Sequence, residues 1–371
     1  MLLAALSLVV SAVAADIRVE MLDVGQADSI LIRSAGGKNV LIDAGEGQND
    51  VVSQLRTAGV DHLDLVIATH PHADHIGGME QAIAAFPPKV YVDSGLTHTT
   101  ETYRSLMRAI EGTSIGYRTA LTGTVFNLDD GAKIEILLPG DTRLRDTRSD
   151  LNANSVVTRL THGSDCFLFT GDAEAVTEQL LIQNGITQCD VLKVAHHGSE
   201  YSSTQGFLDA VRPKIALVSV GTDNRYHHPG RDTMDRLTAM GISIYRTDLA
   251  GAVTLTSTGH GVTVQTQKAS RAVAPAVVAD ASSPRGNPGK REGAPANGVV
   301  PSAASPAPGA TAATLQPGSA ACAFIASRNS EVFHESTCGN GLKINAENLV
   351  CYASKDAAVA AGRRSAGCCH P

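Results

Sequence analysis

The chain opens on fifteen apolar and small residues, MLLAALSLVVSAVAA, without one charge among them. From Asp16 the pattern becomes a series of short runs. Ile17-Arg18-Val19-Glu20-Met21-Leu22 alternates apolar with polar and predicts a strand buried on one face, and Asp28–Arg33 alternates more loosely. Runs at Val40–Ile42, Leu63–Ala68, Val90–Val92, Lys133–Leu138, Ser155–Thr161, Cys166–Thr170, Val191–Ala195 and Ile215–Val220 predict further strands. A helix is expected over Asp50–Ala58, begun by Asn49 or Asp50 and stopped by Gly59. Others fit Glu101–Ile110, Ala175–Asn184 and Gly206–Val211. Strands and helices interleave throughout, which predicts one large mixed domain over residues 16–267.

The ends differ from this body. Residues 1–15 are too short to cross a membrane, and Ala12-Val13-Ala14 fits a small-x-small cleavage pattern, so they read as a secretory signal and the protein as exported, periplasmic or secreted. No other run reaches the length of a membrane helix. Residues 268–320 are dominated by Ala, Pro, Gly and Ser and predict a linker. Residues 321–371 regain order signals and hold five of the seven cysteines, a small Cys/His domain.

Composition narrows the classes. At 43% hydrophobic, 371 residues bury a sizeable core, which excludes wholesale disorder. No Trp and 4% aromatics argue against a stacking platform for sugars or bases. The net charge of −7 argues against a protein that coats nucleic acid. That charge is uneven: residues 1–267 hold 20 basic and 31 acidic side chains, the remainder 10 and 6.

The sharpest feature is Thr69-His70-Pro71-His72-Ala73-Asp74-His75-Ile76-Gly77-Gly78, directly after the apolar run Leu65–Ala68. In extended chain His70 and His72 point to one side and can share a metal, while Asp74 and His75 follow at the turn, placed for a second. Gly77-Gly78 permits a tight turn into a helix. Two other apolar runs end in ligand-type residues: Phe167–Thr170 before Gly171-Asp172, and Val191–Val194 before Ala195-His196-His197-Gly198. A carboxylate such as Asp172 can bridge two cations.

Together with Leu41-Ile42-Asp43-Ala44-Gly45, these motifs resemble the metallo-β-lactamase superfamily. Met21–Asp28, Asn154-Ser155-Val156-Val157, Tyr226-His227-His228-Pro229-Gly230 and Tyr245–Asp248 narrow the resemblance to the hydrolase domain of ComEC-type competence proteins, in a free-standing secreted form, over about residues 16–267. The resemblance implies an α+β fold, a four-layer αββα sandwich, and a site for two divalent ions, Zn or Mn. It places His70 and His72 on the first metal and Asp74, His75 and one of His196 or His197 on the second, with Asp172 between them. Asp43 would steady a ligand from behind. His228 would hydrogen-bond a phosphoryl oxygen or leaving group. Many superfamily members carry a further histidine where this chain reads Asn152-Ala153-Asn154-Ser155, so the first metal would lack an imidazole and be completed by water or Asn154.

The expected activity is metal-dependent hydrolysis of phosphodiesters, as a phosphodiesterase or nuclease on DNA or nucleotide-like substrates, with a metal-activated water as nucleophile and Asp74 orienting it. DNA-uptake machinery is the expected partner. Alternatives are hydrolysis of another ester or amide, such as a phosphocholine ester or lactam, and a non-catalytic competence-related binding module. His62, His98, His162 and His260 stand alone and read as surface or loop histidines. Asp28 reads as a turn residue, and Ser199, Ser202 and Ser203 as helix caps. Cys166 and Cys189 open two strands and form either a disulfide or two buried thiols. The C-terminal segment resembles a small Ada-type metal-binding-like domain. Its His334, Cys338 and Cys369, with Cys368 or His370, either bind metal or give way to disulfides, Cys322–Cys351 and Cys338 with Cys368 or Cys369.

Overall fold

A computed structural model of the chain describes residues 16–269 and, further on, 324–327, 332–335, 349–352, 354–360 and 363–365. The chain divides into two compact units, Met1–Ser283 and Pro284–Pro371.

In the first unit, β1 (Ile17–Met21), β2 (Ile30–Arg33) and β3 (Asn39–Ile42) form an antiparallel meander. Helix α1 (Val51–Thr57), capped by Asp50 accepting from Ser53 N–H, leads to β4 (Leu65–Ile67), parallel to β3. Helices α2 (Ala73–Ile76) and α3 (Met79–Ala85) lead to β5 (Val90–Asp93), and α4 (Glu101–Ile110) to β6 (Gly116–Thr119). The chain then builds a second sheet. Strands β7 (Val125–Asn127) and β8 (Lys133–Leu138), the short α5 (Asp150–Ala153), β9 (Val157–His162) and β10 (Asp165–Phe169) run antiparallel. After α6 (Ala175–Gln183) come β11 (Val191–Lys193), α7 (Gln205–Val211), β12 (Ile215–Val218), α8 (Arg231–Ala239) and β13 (Ser243–Arg246), each strand parallel to the one before. A last turn, α9 (Thr247–Ala250), returns the chain to β14 (Val253–Ser257) and β15 (Val262–Thr266), which pair beside β1. The sheet orders are 15-14-1-2-3-4-5-6 and 13-12-11-10-9-8-7.

Strand alternation sets the layers. Leu65 and Ile67 of β4 and Phe167 and Phe169 of β10 point into one apolar cluster between the sheets. Val66 and Tyr91 point the other way, onto Leu55, Met79, Ile83 and Leu106 of the helices covering the first sheet. Leu168 and Leu192 face Leu181, Phe207, Val211 and Leu237 on the outer side of the second. Three apolar seams therefore separate four layers, helix, sheet, sheet and helix, as the family resemblance implies.

Several elements differ from expectation. The strand expected to reach Ala195 ends at Lys193, because His196 and His197 turn into left-handed backbone. Gly77 and Gly78 have ordinary helical dihedrals, so turning is not their role. A Cβ on Gly78 would stand 2.3 Å from the Ala44 carbonyl oxygen, and close packing is what requires glycine there. Cys166 of β10 and Cys189, just before the neighbouring β11, form a disulfide, Cα atoms 4.8 Å apart.

The second unit holds β16 (Phe324–Ser327), β17 (Val332–Glu335), β18 (Leu349–Tyr352), α10 (Lys355–Ala360) and β19 (Arg364–Ser365), in the sheet order 18-16-17-19 over a small core of Ala326, Phe333 and Ala358. Cys351 is disulfide-bonded. The expected leader, the linker beyond Ala269, and Cys322, Cys338, Cys368, Cys369 and His370 lie outside the described residues.

Candidate metal centre

The side chains of the centre stand just past strand ends. Asp43 follows β3, His70 and His72 follow β4, Asp172 follows β10, and His196 and His197 follow β11. Because β3 runs parallel to β4 and β10 to β11, their C-terminal ends open together, where parallel sheets place their ligands. Backbone bonds fix the loops. Val156 N–H donates to Thr69 O at 2.8 Å and ties one sheet to the other; His196 N–H donates to Gly171 O at 3.1 Å, and Asp28 N–H to Asp74 O at 3.0 Å.

Asp172 is the pivot. Its Oδ1 lies 3.2 Å from His75 Nε2 and 3.8 Å from His197 Nε2, and its Oδ2 lies 3.6 Å from His196 Nε2 and 3.9 Å from His70 Nε2. Asp74 Oδ2 joins the first pair, 3.3 Å from His197 Nε2 and 3.9 Å from His75 Nε2. His72 Nδ1 joins the second, 2.9 Å from His70 Nε2. One compact group thus forms around Oδ1, made of Asp74, His75 and His197, while Oδ2 faces His196 on one side and His70, with His72 behind it, on the other. His197, not His196, stands with Asp74. His196 stands apart from that group, with Nε2 toward Asp172 Oδ2.

The donor set suits a divalent cation. Ligand atoms of Asp74, His75, Asp172 and His197 all lie within 4.8 Å of one another. His75 Nε2 and Asp172 Oδ1 are buried without a hydrogen-bond partner. Imidazole and carboxylate together match zinc and the neighbouring transition metals.

A surrounding set aims these ligands. Asp43 Oδ2 lies 2.8 Å from His75 Nδ1, while Thr69 donates its N–H to Oδ1 and its hydroxyl to Oδ2, both at 2.7 Å. His197 Nδ1 donates to Ser219 O at 2.9 Å and lies 3.4 Å from Asp28 Oδ1. His70 Nδ1 faces the hydroxyls of Thr69 and Ser155, at 3.1 and 3.4 Å. Engaging each Nδ1 presents Nε2 to the centre.

Burial opposes every charge here, and neighbours override it selectively. Against burial, His75, His197 and His196 hold the Asp172 carboxyl well below its usual range. Against burial, Asp172, Asp43 and Asp74 hold His75 well above its ordinary value, and Asp172 and Asp28 raise His197 to about 10. Burial keeps His70 and His196 low, helped by the imidazoles beside them. The carboxylates therefore draw positive charge to one place.

Other residues join unannounced by any motif. Lys193 is fully buried, donates to Gly171 O at 3.0 Å and pairs with Asp28, which is a buried partner of the centre and no turn residue. Asn152 Nδ2 lies 3.5 Å from His196 Nε2, and its Oδ1 is buried without a partner. Asn154 does not complete the site: its amide is spent on Leu144 N–H, Leu144 O and Asp150 O. His228 sits beyond His196, ring centroids 5.6 Å apart. Gly221 N–H donates to Gln26 Oε1, which turns the Gln26 amide N–H toward His228 Nδ1 at 3.5 Å. Burial and the imidazoles of His197 and His196 push His228 down to about 4, so it stays neutral. Among the lone histidines, His162 is buried, with Nδ1 2.8 Å from Ser257 Oγ. His62 and His260 are exposed, and His98 is half-buried with its ring centroid 5.9 Å from that of His72.

The metallo-beta-lactamase superfamily model matches residues 22–222, and the chain belongs to that superfamily, carrying a His/Asp cluster able to hold the metal of its hydrolases. The chain is also similar to three named bacterial proteins. It is 32% identical to competence protein ComA of Neisseria gonorrhoeae over 62% of this chain and 31% of that one. It is 29% identical to ComE operon protein 3 of Bacillus subtilis over 63% and 32%, and 30% identical to recombination protein 2 of Haemophilus influenzae over 64% and 28%. The chain thus spans about a third of the length of the relatives it matches.

Proposed function

We propose that this metal-dependent hydrolase cleaves phosphodiesters, in DNA or nucleotide-like substrates, with two divalent cations, Zn or Mn. In this reading the protein is exported and serves DNA uptake. The observation that carries it is Asp172, one carboxylate whose Oδ1 faces His75 and His197 and whose Oδ2 faces His196 and His70. The competence names of its relatives support the nucleic-acid substrate, and the Cys166–Cys189 disulfide supports export.

His70, His72 and His196 would hold one cation, Asp74, His75 and His197 the other, and Asp172 both. Bound there, the cations supply an acidified water and offset phosphate charge. The chain's own residues do the rest. Asp43 and Asp28 keep His75 and His197 aimed. Asp74, less buried than its neighbours, orients the attacking water. His228, proton on Nε2 through the Gln26 contact, donates to a phosphoryl oxygen or the leaving group.

The test is a substrate panel with the metal-loaded chain: a generic phosphodiester, single-stranded DNA, a phosphocholine ester and a chromogenic lactam. Cleavage of the first two is expected. Turnover of the lactam alone would reject phosphodiester cleavage, and turnover of the phosphocholine ester alone, itself a phosphodiester, would reject the nucleic-acid substrate.

A further inference from the structure

We infer that the cavities beside the metal centre stack the bases of a single nucleic-acid strand, with Tyr226 and the Arg148–Tyr201 pair as the stacking surfaces. This rests on the phosphodiesterase reading and adds what is recognised.

Two cavities adjoin the centre. One, of about 650 Å³, has Arg148, His196, Tyr201, Tyr226 and His228 in its wall. The other, of about 350 Å³, is bounded by Asp74, Arg225 and Tyr226. The larger therefore touches a proposed ligand of one group, the smaller a proposed ligand of the other, and Tyr226 borders both. A strand whose phosphate sits at Asp172 has room for a nucleoside on either side.

The walls set aromatic rings and guanidinium groups beside the carboxylates of Glu46 and Glu200. Tyr226 is 52% exposed and lies flat on His228, centroids 5.8 Å apart and planes at 27°. Arg225 sits at the hydroxyl end of the ring, donating to that hydroxyl at 2.7 Å with its guanidinium carbon 4.9 Å from the centroid. Tyr201 is 47% exposed, with the Arg148 guanidinium 3.8 Å over its ring, and Glu174 holds that arginine at 2.6 Å. Exposed aromatic faces backed by guanidinium groups are how sequence-tolerant single-strand sites bind, since every base has a π-face. An aromatic-poor composition conceals the arrangement because two tyrosines suffice.

The test compares a short thymidine strand with an abasic strand of equal length and charge. Binding of both to the full metal-loaded chain is read by fluorescence anisotropy, and cleavage is followed separately. The base-bearing strand is expected to bind roughly tenfold or more tighter. Tyr226→Ala and Tyr201→Ala should each shrink that ratio, while Tyr226→Phe keeps it. A ratio near one in the wild type, or one unmoved by both alanine variants, overturns the inference. Because binding needs no turnover, a strand bound with this preference but never cut would sink the phosphodiesterase reading and leave the stacking site standing.

Discussion

His196 and His197 are adjacent, yet both reach Asp172. Neighbouring side chains of a strand point to opposite faces. These two residues instead adopt left-handed backbone, φ 53° and 54°, which swings both rings to one carboxylate. Asp43, at φ 58°, is a third such residue in the centre. Conformations of this kind cost of order 1–3 kcal/mol each and persist where surrounding contacts enforce them. Here the contacts are the His197–Ser219 bond and the Lys193–Asp28 pair. Asp28→Asn removes the carboxylate behind His197 and is expected to weaken metal binding roughly 10- to 100-fold in calorimetric titration of the metal-free chain. Pairing it with Lys193→Met removes the stranded buried cation and should restore thermal stability without restoring affinity. Wild-type affinity in the single variant would reduce Asp28 to a packing role.

At the scale of elements, the short loop from β10 to α6 carries Asp172, and Gly171 makes its turn at φ +51°. A Cβ there would meet Thr69 Cβ at 2.8 Å and Ser155 Cβ at 3.0 Å, the two residues that face His70. Gly171→Ala should destabilise the fold by about 1–3 kcal/mol, by strain and close contact, and lower bound metal together. Unchanged melting and metal content would show that the loop yields. The central strands and the His70–His75 loop are legible in the sequence because burial on one or both faces leaves apolar runs, and ligands crowded into six residues have few other uses. The edges are not. All four residues of β6 are exposed, and of α8 only Thr233 and Leu237 are buried, so neither leaves an apolar pattern. Lys193 and Asp28 are equally silent, because their meaning lies in a contact across 165 positions. The roles of His196 and His197 needed backbone angles that spacing does not encode.

For the whole molecule, the acidic balance of the first unit gains a location. Four of its carboxylates, Asp28, Asp43, Asp74 and Asp172, converge on the centre and are answered there by Lys193 and by whatever cations bind. The disulfide lies at the other end of the same strands. Cys166 sits near the start of β10 and Cys189 just before β11, while Asp172 and His196 lie past their ends. It closes a loop of sequence separation 23, so replacing both cysteines by serine should cost roughly 3 kcal/mol in denaturant unfolding. Metal content should be unchanged, since the bridge fastens the frame and not the ligands. A loss of metal alongside stability would show that the strand ends are not independent.

The most direct test is the rate of phosphodiester hydrolysis by the metal-loaded wild type and Asp172→Ala, side by side. If one carboxylate joins the two ligand groups, the wild type cleaves and the variant does not, with its bound metal lost or halved. Cleavage at the wild-type rate in Asp172→Ala would contradict the account.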